Sequence, residues 1–282
     1  MNGVASIEAY YDALIAKKLG DFTGFNPRIE AAIATIAEWA PARPKRVLEI
    51  GCGIGAVSWR MARAWPDAQV VGADISHASV KVAQTCFQRS NLAYRAGTVA
   101  QTTGEGSFDL VVLMDVYEHI APAERPAVHA AIRAALGEDA RVVMTVPTPA
   151  MQAYLRREAP ASVQPVDEDI DVGVALTFAA ETGTELLQYR QTGIWRYGDY
   201  AHLVFGRARL APVGARTQPT GRLAGARQRL KRLLGRADTG GERDYFGRHF
   251  ADRSADERLR RFEVGAAERN RLAAAWPGTK PA

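Results

Sequence analysis

The run Val47-Leu48-Glu49-Ile50-Gly51-Cys52-Gly53-Ile54-Gly55 constrains this chain more than any other segment. A short, mostly apolar strand passes directly into a turn built on alternate glycines, and a helical pattern opens at Ala56–Ala64. Glycine lets the backbone turn sharply and lets a ligand come close to the main chain. Strands rich in Val, Leu and Ile separated by helices belong in a parallel sheet covered on both faces. The downstream pattern repeats the unit. Strands are expected at Arg46–Ile50, Gln69–Ala73, Ala93–Ala96, Asp109–Met114 and Arg141–Val146, with helices at Ala56–Ala64, Ser79–Arg89 and Ala123–Leu136. Upstream, Ile7, Tyr10, Tyr11, Leu14 and Ile15 recur at helical spacing. A second helical stretch runs from Ile29 to Trp39, and Ala40-Pro41-Ala42-Arg43-Pro44 breaks it. After the fifth strand come a helix at Ile170–Thr182 and two strands, Glu185–Thr192 and Asp199–Phe205. Gly193-Ile194-Trp195-Arg196-Tyr197-Gly198-Asp199-Tyr200 joins them into an antiparallel closing pair. The expected architecture is α/β: a doubly wound, mostly parallel seven-stranded sheet with an antiparallel last strand. An N-terminal helical lid occupies residues 1–42, the ligand-binding body 43–207, and a basic helical C-terminal extension 208–282.

Composition narrows the class. Hydrophobic residues make up 47% and charged residues 24%, the balance of an ordinary globular protein. The start, Met1 to Lys18, has no basic region followed by an apolar run, and no stretch nears the ~20 apolar residues of a membrane span. Cys52 and Cys86 have the spacing of neither a metal site nor a disulfide framework, so cytoplasmic residence is expected. The net charge of +5 is uneven. From Arg207 onward 18 Lys/Arg face 8 Asp/Glu, a net of +10, which leaves Met1–Gly206 at −5. That describes an acidic catalytic body with a basic tail rather than a uniform nucleic-acid surface. The tail stretches Leu223–Leu234 and Ala255–Trp276 read as amphipathic helices, suited to a cap or an oligomer contact.

The glycine turn is followed about twenty positions on by Asp74, which ends the strand Val70-Val71-Gly72-Ala73. A carboxylate there can accept both hydroxyls of a ribose lying across the strand ends, so the arrangement suits an adenosine. Gly51, Gly53 and Ala56 also satisfy the dinucleotide spacing G-x-G-x-x-G/A, and spacing alone does not choose the ligand. Two carboxylates do. Glu49 would repel a pyrophosphate and suits a ligand carrying an ammonium. Asp115 closes the strand Asp109–Met114, at the sheet edge where open α/β folds bind ligands.

Taken together, VLEIGCGIG, VVGADIS, FDLVVLMDVYEHI and RVVMTVP, in that order across Arg46–Arg207, resemble the class I, seven-stranded S-adenosylmethionine-dependent methyltransferases. The resemblance implies S-adenosylmethionine as cofactor. By it, Gly51 and Gly53 line the methionine part, Glu49 holds its amine, Asp74 takes the ribose hydroxyls and Ile75 packs on adenine. Asp115 and Val116 flank the methionine end. Thr98, with Val99 beside it, stands where the family usually places an Asp for the adenine amino group.

Methyl transfer from a sulfonium asks the protein mainly to position an acceptor, exclude water and take up a proton. His119, four residues beyond Asp115, is the candidate general base; Glu118 either orients it or sits solvated, and Tyr11 is a candidate lid or proton relay. Tyr117, Trp195 and Tyr197 are expected to wall a flat acceptor. Arg28 is placed either on the cofactor carboxylate or on the surface, and His202 is expected to be structural. Asp115-x-x-Glu118-His119 is similar to the E-x-x-E-H of some metal-binding O-methyltransferases. Asp replaces the first Glu and no further ligand stands out, so no metal is assigned. The function expected is methylation of a small molecule, aromatic or natural-product-like, at oxygen, nitrogen or carbon (an indole, for instance). The alternatives are an NAD(P)-binding oxidoreductase, for which no Tyr-x-x-x-Lys stands in place, and an RNA-directed methyltransferase using the basic extension.

Overall fold

The computed structural model describes Tyr10, Tyr11, Ile15, Lys18, residues 26–103 and residues 107–207. The basic extension 208–282 and most of the expected first helix lie outside these. The described elements are α1 (Pro27–Trp39), β1 (Arg46–Ile50), α2 (Ala56–Ala64), β2 (Gln69–Asp74), α3 (His77–Cys86), β3 (Leu92–Ala96), α4 (Val99–Thr102) and β4 (Phe108–Met114). A single 3-10 turn, Tyr117–His119, follows. Then come α5 (Arg125–Ala135), β5 (Leu136–Pro147), α6 (Pro149–Glu158), a second 3-10 turn (Pro160–Ser162), α7 (Val172–Thr182), β6 (Glu185–Thr192) and β7 (Tyr200–Gly206).

The strands form one seven-stranded sheet in the order β3-β2-β1-β4-β5-β7-β6. All neighbours from β3 to β5 pair in parallel, and β7 runs antiparallel to both β5 and β6. Successive residues of the central strands feed two separate cores, because side chains alternate across a pleated strand. Leu48, Ile50, Val111, Leu113, Val142 and Met144 face α5 and α7, where Ile132 and Phe178 meet them. Val47, Val70, Leu110, Val112 and Val143 face α1 and α2, packing on Ile33, Ile36, Val57 and Met61. Each such side chain contributes about 1.5–3 kcal/mol of burial. The doubly wound expectation thus holds.

Helix starts follow local chemistry. Asn26 caps α1 by accepting from the Arg28 N–H, with Pro27 at the first helical position. Ser76, Thr148 and Asp171 cap α3, α6 and α7 in the same way. Three local differences from the sequence expectation have clear causes. Strand β5 begins at Leu136, where a helical pattern was expected to end and five residues ahead of the expected strand. Its extra length pairs Leu136 with Phe108 across a register shift in β4. At that shift, the Asp109 carboxylate accepts from the backbone N–H groups of Lys45 and Arg46 (2.6 and 3.0 Å). Strand β7 begins at Tyr200 rather than Asp199, whose carboxylate accepts from the N–H groups of Ile194, Trp195 and Arg196 and so belongs to the turn. Helix α6 was not expected: its sequence, PAMQAYLRRE, has too little apolar periodicity to announce it. Cys52 and Cys86 are buried free thiols. No described helix is long and apolar enough to cross a membrane.

Candidate active site

Strand order reverses between β1 and β4: β2 and β3 lie on one side, β5 and beyond on the other. The loops leaving the carboxyl ends of these two strands diverge, and a crevice opens between them. It is a cavity of about 870 Å³, in the upper part of the range of small-molecule sites.

The glycine loop forms one wall. Gly51, Gly53 and Gly55 all have positive φ (74°, 54° and 89°), a region that side chains disfavour. At Gly51 sterics add to conformation, since a Cβ would come within 2.1 Å of Val116 Cγ2. Both the Gly51 and Cys52 N–H groups donate to the Ala73 carbonyl, which tucks the loop against β2. Glu49 is 1% exposed and accepts from the Ser58 hydroxyl on α2. Burial, with Asp74's charge adding and the Ser58 hydrogen bond opposing, pushes its carboxyl up to about 7. Asp74 accepts from the Gly53 and Ser76 N–H groups (2.7 and 2.9 Å), so its carboxylate is fixed by the loop it faces. Ile75, Thr98 and Val99 line the same part of the cavity. Gln101 accepts from both the Thr98 N–H and the Thr98 hydroxyl (2.9 and 3.0 Å). The Thr98 hydroxyl proton is therefore committed, and its oxygen remains an acceptor. All nine sequence-predicted cofactor residues line this cavity.

Asp115 forms the opposite wall. It is the one described non-glycine residue with positive φ (55°). It pairs with Arg28 Nη1 at 2.9 Å and receives the Thr145 hydroxyl at 3.4 Å. Burial raises its carboxyl while Arg28 and His119 oppose that. Arg28 also donates to the Tyr200 hydroxyl (3.4 Å). Its Nη1 is thus committed to Asp115 and Tyr200, while Nε is buried in the cavity without a partner. Lys18, which sequence reasoning passed over, is a further cation lining the cavity, on the glycine-loop side. Its Nζ is 3.3 Å from the point a Cβ on Gly53 would occupy, and it lies 5.4 Å from the Tyr11 ring centroid.

Tyr11, Glu118 and His119 also line the cavity and lie close together. The rings of Tyr11 and His119 are 6.4 Å apart, and burial keeps the Tyr11 hydroxyl protonated far above its ordinary range. His119 Nδ1 contacts the Val166 carbonyl at 2.8 Å, so Nδ1 carries the proton; Nε2 receives the Gln164 amide at 2.9 Å. Burial also lowers its pKa. The ring is a neutral imidazole with both nitrogens engaged, which leaves no free lone pair for the general-base role expected of it. Glu118, 1% exposed, has no hydrogen-bond partner on either oxygen, and burial with Asp115's charge raises its carboxyl well above the usual range. The neutral His119 Nε2 lies 3.7 Å from its Oε1.

The expected aromatic wall is not there. Tyr117 turns into the core, where its hydroxyl meets His129 Nε2 at 2.8 Å; His129 Nδ1 in turn meets Glu181 at 2.6 Å. Trp195 and Tyr197 are 55% and 104% exposed at the β6–β7 turn, outside the cavity. Polar residues stand in their place: Gln152 from α6, with Gln164 and Asp167 from the segment between α6 and α7. The Thr148-Pro149 capping pair was the one signal that could have drawn attention to α6. His202 is structural as expected. It takes the Thr35 hydroxyl at 2.7 Å, and burial with Arg190 lowers it to about 4. Among the described residues no cluster has the makings of a metal site.

Residues 47–139 match the family described as "Methyltransferase domain". The chain is 43% identical over 84 residues to a ubiquinone biosynthesis O-methyltransferase of Sinorhizobium fredii, covering 29% of this chain and 33% of that one. The corresponding Agrobacterium fabrum protein is 39% identical over 109 residues, 34% and 43% of the two chains. The chain thus spans about a third of the length of the first of these relatives, and less than half of the second. Its fold is similar to the crystal structure of magnesium protoporphyrin IX methyltransferase from Synechocystis with bound S-adenosylhomocysteine (SAH), with a TM-score of 0.58 at 17% identity, covering 72% of this chain and 99% of that one.

Proposed function

We propose that this chain, whose residues 47–139 match a methyltransferase domain and whose strands form one seven-stranded sheet, is an enzyme that transfers the methyl group of S-adenosylmethionine to a small-molecule acceptor. The observation that carries the reading is one cavity in which two buried carboxylates, Glu49 and Asp74, flank a glycine loop too tight for any side chain at Gly51. S-adenosylmethionine, when bound, supplies a methyl carbon on a cationic sulfur that an acceptor lone pair can take as a neutral thioether departs.

The chain's residues do the rest. The backbone of Gly51 and Gly53 lets the ligand lie against the main chain. Glu49 meets the ligand ammonium, whose charge draws the proton off this carboxyl. Asp74, already oriented by two N–H groups, has lone pairs left for the ribose hydroxyls. Ile75 and Val99 pack on the adenine, and the Thr98 oxygen accepts from its amino group. With Arg28 held by Asp115, Lys18 takes the ligand carboxylate. Tyr11 and His119 close the acceptor side against water. The acceptor is a small molecule, and the names of the similar proteins, ubiquinone biosynthesis and magnesium protoporphyrin IX methyltransferases, support that class. The two buried free thiols accord with cytoplasmic residence.

Calorimetric titration of the full chain with SAH and with NAD tests the reading. SAH is expected to bind and NAD is not. Asp74→Ala is expected to weaken SAH by about 10–100-fold, the loss of hydrogen bonds to a charged group. Binding of NAD without SAH would overturn the assignment in favour of a dinucleotide enzyme.

A further inference from the structure

The acceptor side of the cavity carries an imbalance that the methyl-donor reading does not use. Four oxygens there, both of Glu118 and the amide oxygens of Gln152 and Gln164, are buried without a hydrogen-bond partner. Glu118 and Gln152 are 1% and 0% exposed. The amide orientations are fixed by what the nitrogens do. Gln152 Nε2 donates to Asp167 Oδ1 at 2.5 Å, and Gln164 Nε2 donates to His119 Nε2 at 2.9 Å. Reversing either amide would set oxygen against a carboxylate or against an unprotonated ring nitrogen. Against these oxygens, and Asp115 Oδ2 beside its Arg28 ion pair, stand two donors in the cavity: Arg28 Nε and the proton that burial keeps on Glu118.

Buried polar groups are almost always paired. A concentration of unpaired oxygens on one cavity wall therefore selects a ligand that brings hydrogens. A carboxylate or an ether would set lone pairs against lone pairs, and a hydroxyl would bring one hydrogen and no charge. Charge points the same way. Asp115 and His119 flank Glu118 in sequence, Arg28 reaches over from α1, Asp167 comes from the segment before α7, and Tyr11 and Tyr200 face it as neutral phenols. Of these, the described cation is Arg28, and it is already paired with Asp115.

We propose that the acceptor is an amine: it enters as an ammonium, is held by Glu118 together with the amide oxygens of Gln152 and Gln164, and yields its proton to Glu118. This rests on the methyltransferase reading above and narrows it to nitrogen. In the free protein, burial and the neighbouring Asp115 keep the Glu118 carboxyl protonated. The incoming positive charge expels that proton to solvent. One N–H proton then moves onto a Glu118 oxygen, which leaves a neutral nitrogen with a free lone pair. After methylation the nitrogen again carries the charge and Glu118 loses its proton to water, one proton released per methyl transferred.

The test uses the full chain saturated with SAH and titrated with benzylamine, benzyl alcohol and benzoate at pH 7, in buffers of different ionisation enthalpy. Benzylamine is expected to bind at least ~10-fold more tightly than benzyl alcohol, as hydrogen bonds to a charged partner do. Benzoate is expected not to bind, and benzylamine binding is expected to release about one proton. Glu118→Gln is expected to abolish both the preference and the proton release. Should that variant fail to bind SAH, the wild-type preference and proton count still decide. Equal or tighter binding of the alcohol or benzoate, no binding of any probe, or amine binding without proton release would each overturn the proposal. Failure of the wild-type chain to bind SAH would instead sink the methyltransferase reading itself.

Discussion

Glu49 shows how one buried carboxyl couples ligand binding to pH. With its pKa raised to about 7 by burial, it is largely neutral in slightly acidic solution. A folded-state pKa above the ordinary carboxyl value gives stability that is full below about 4.5 and is lost as pH rises through about 7. The ligand-free protein is therefore expected to gain thermal stability from this group between pH 7 and pH 5, and Glu49→Gln is expected to flatten that dependence in a melting series. Binding has the opposite sign, because the ligand ammonium wants the carboxylate. SAH affinity is expected to rise between pH 6 and pH 8, by no more than about tenfold per pH unit; an affinity that falls over this interval would remove Glu49 from the amine. Asp115 is a second residue-scale feature. Its left-handed backbone costs on the order of 1 kcal/mol or more. It is held in place by Arg28, by Thr145 and by the Asp115 N–H donating to the Thr145 carbonyl at 2.9 Å.

At the scale of elements, the turn that carries Glu118 and His119 is anchored from behind. Tyr117, between β4 and α5, meets His129 on α5, and His129 meets Glu181 on α7. The ring of Tyr117 packs edge-on against Phe178, centroids 5.3 Å apart. This chain ties two helices to the end of a strand, and it is why Tyr117 cannot face an acceptor. Tyr117→Phe leaves His129 Nε2 buried without its partner and is expected to cost about 1–3 kcal/mol in urea unfolding. SAH affinity is expected to stay within about twofold of wild type. A large loss of SAH affinity with unchanged stability would restore Tyr117 to the ligand site. Helix α1 is fixed in a comparable way, by Arg28 on Asp115 and Tyr200 and by Glu30 on Arg60 of α2.

Over the whole molecule, the sheet holds the ends of β1 and β4 side by side between two cores and leaves the crevice where strand order reverses. The donor set there argues for chemistry without a metal. Asp115 is spent on Arg28, and both His119 nitrogens are spent on Val166 and Gln164. Chelator treatment is accordingly expected to leave methyl transfer unchanged; a loss restored by adding a divalent ion would contradict this. The sequence by itself determined a mostly parallel sheet with an antiparallel close, and it set the glycine loop and its carboxylates at the strand ends. Those depend on local patterns: apolar runs, glycines that must turn, and acids placed at strand ends. The wall proposed for the acceptor was decided only by tertiary structure. Gln152, Gln164 and Asp167 come from a helix without apolar periodicity and from an irregular segment, so nothing local marks them. Tyr117 and His119 show the same limit from the other side, since a side chain's position along the chain fixes neither the face it turns to nor the partners that occupy its atoms. Those are set by packing between elements distant in sequence.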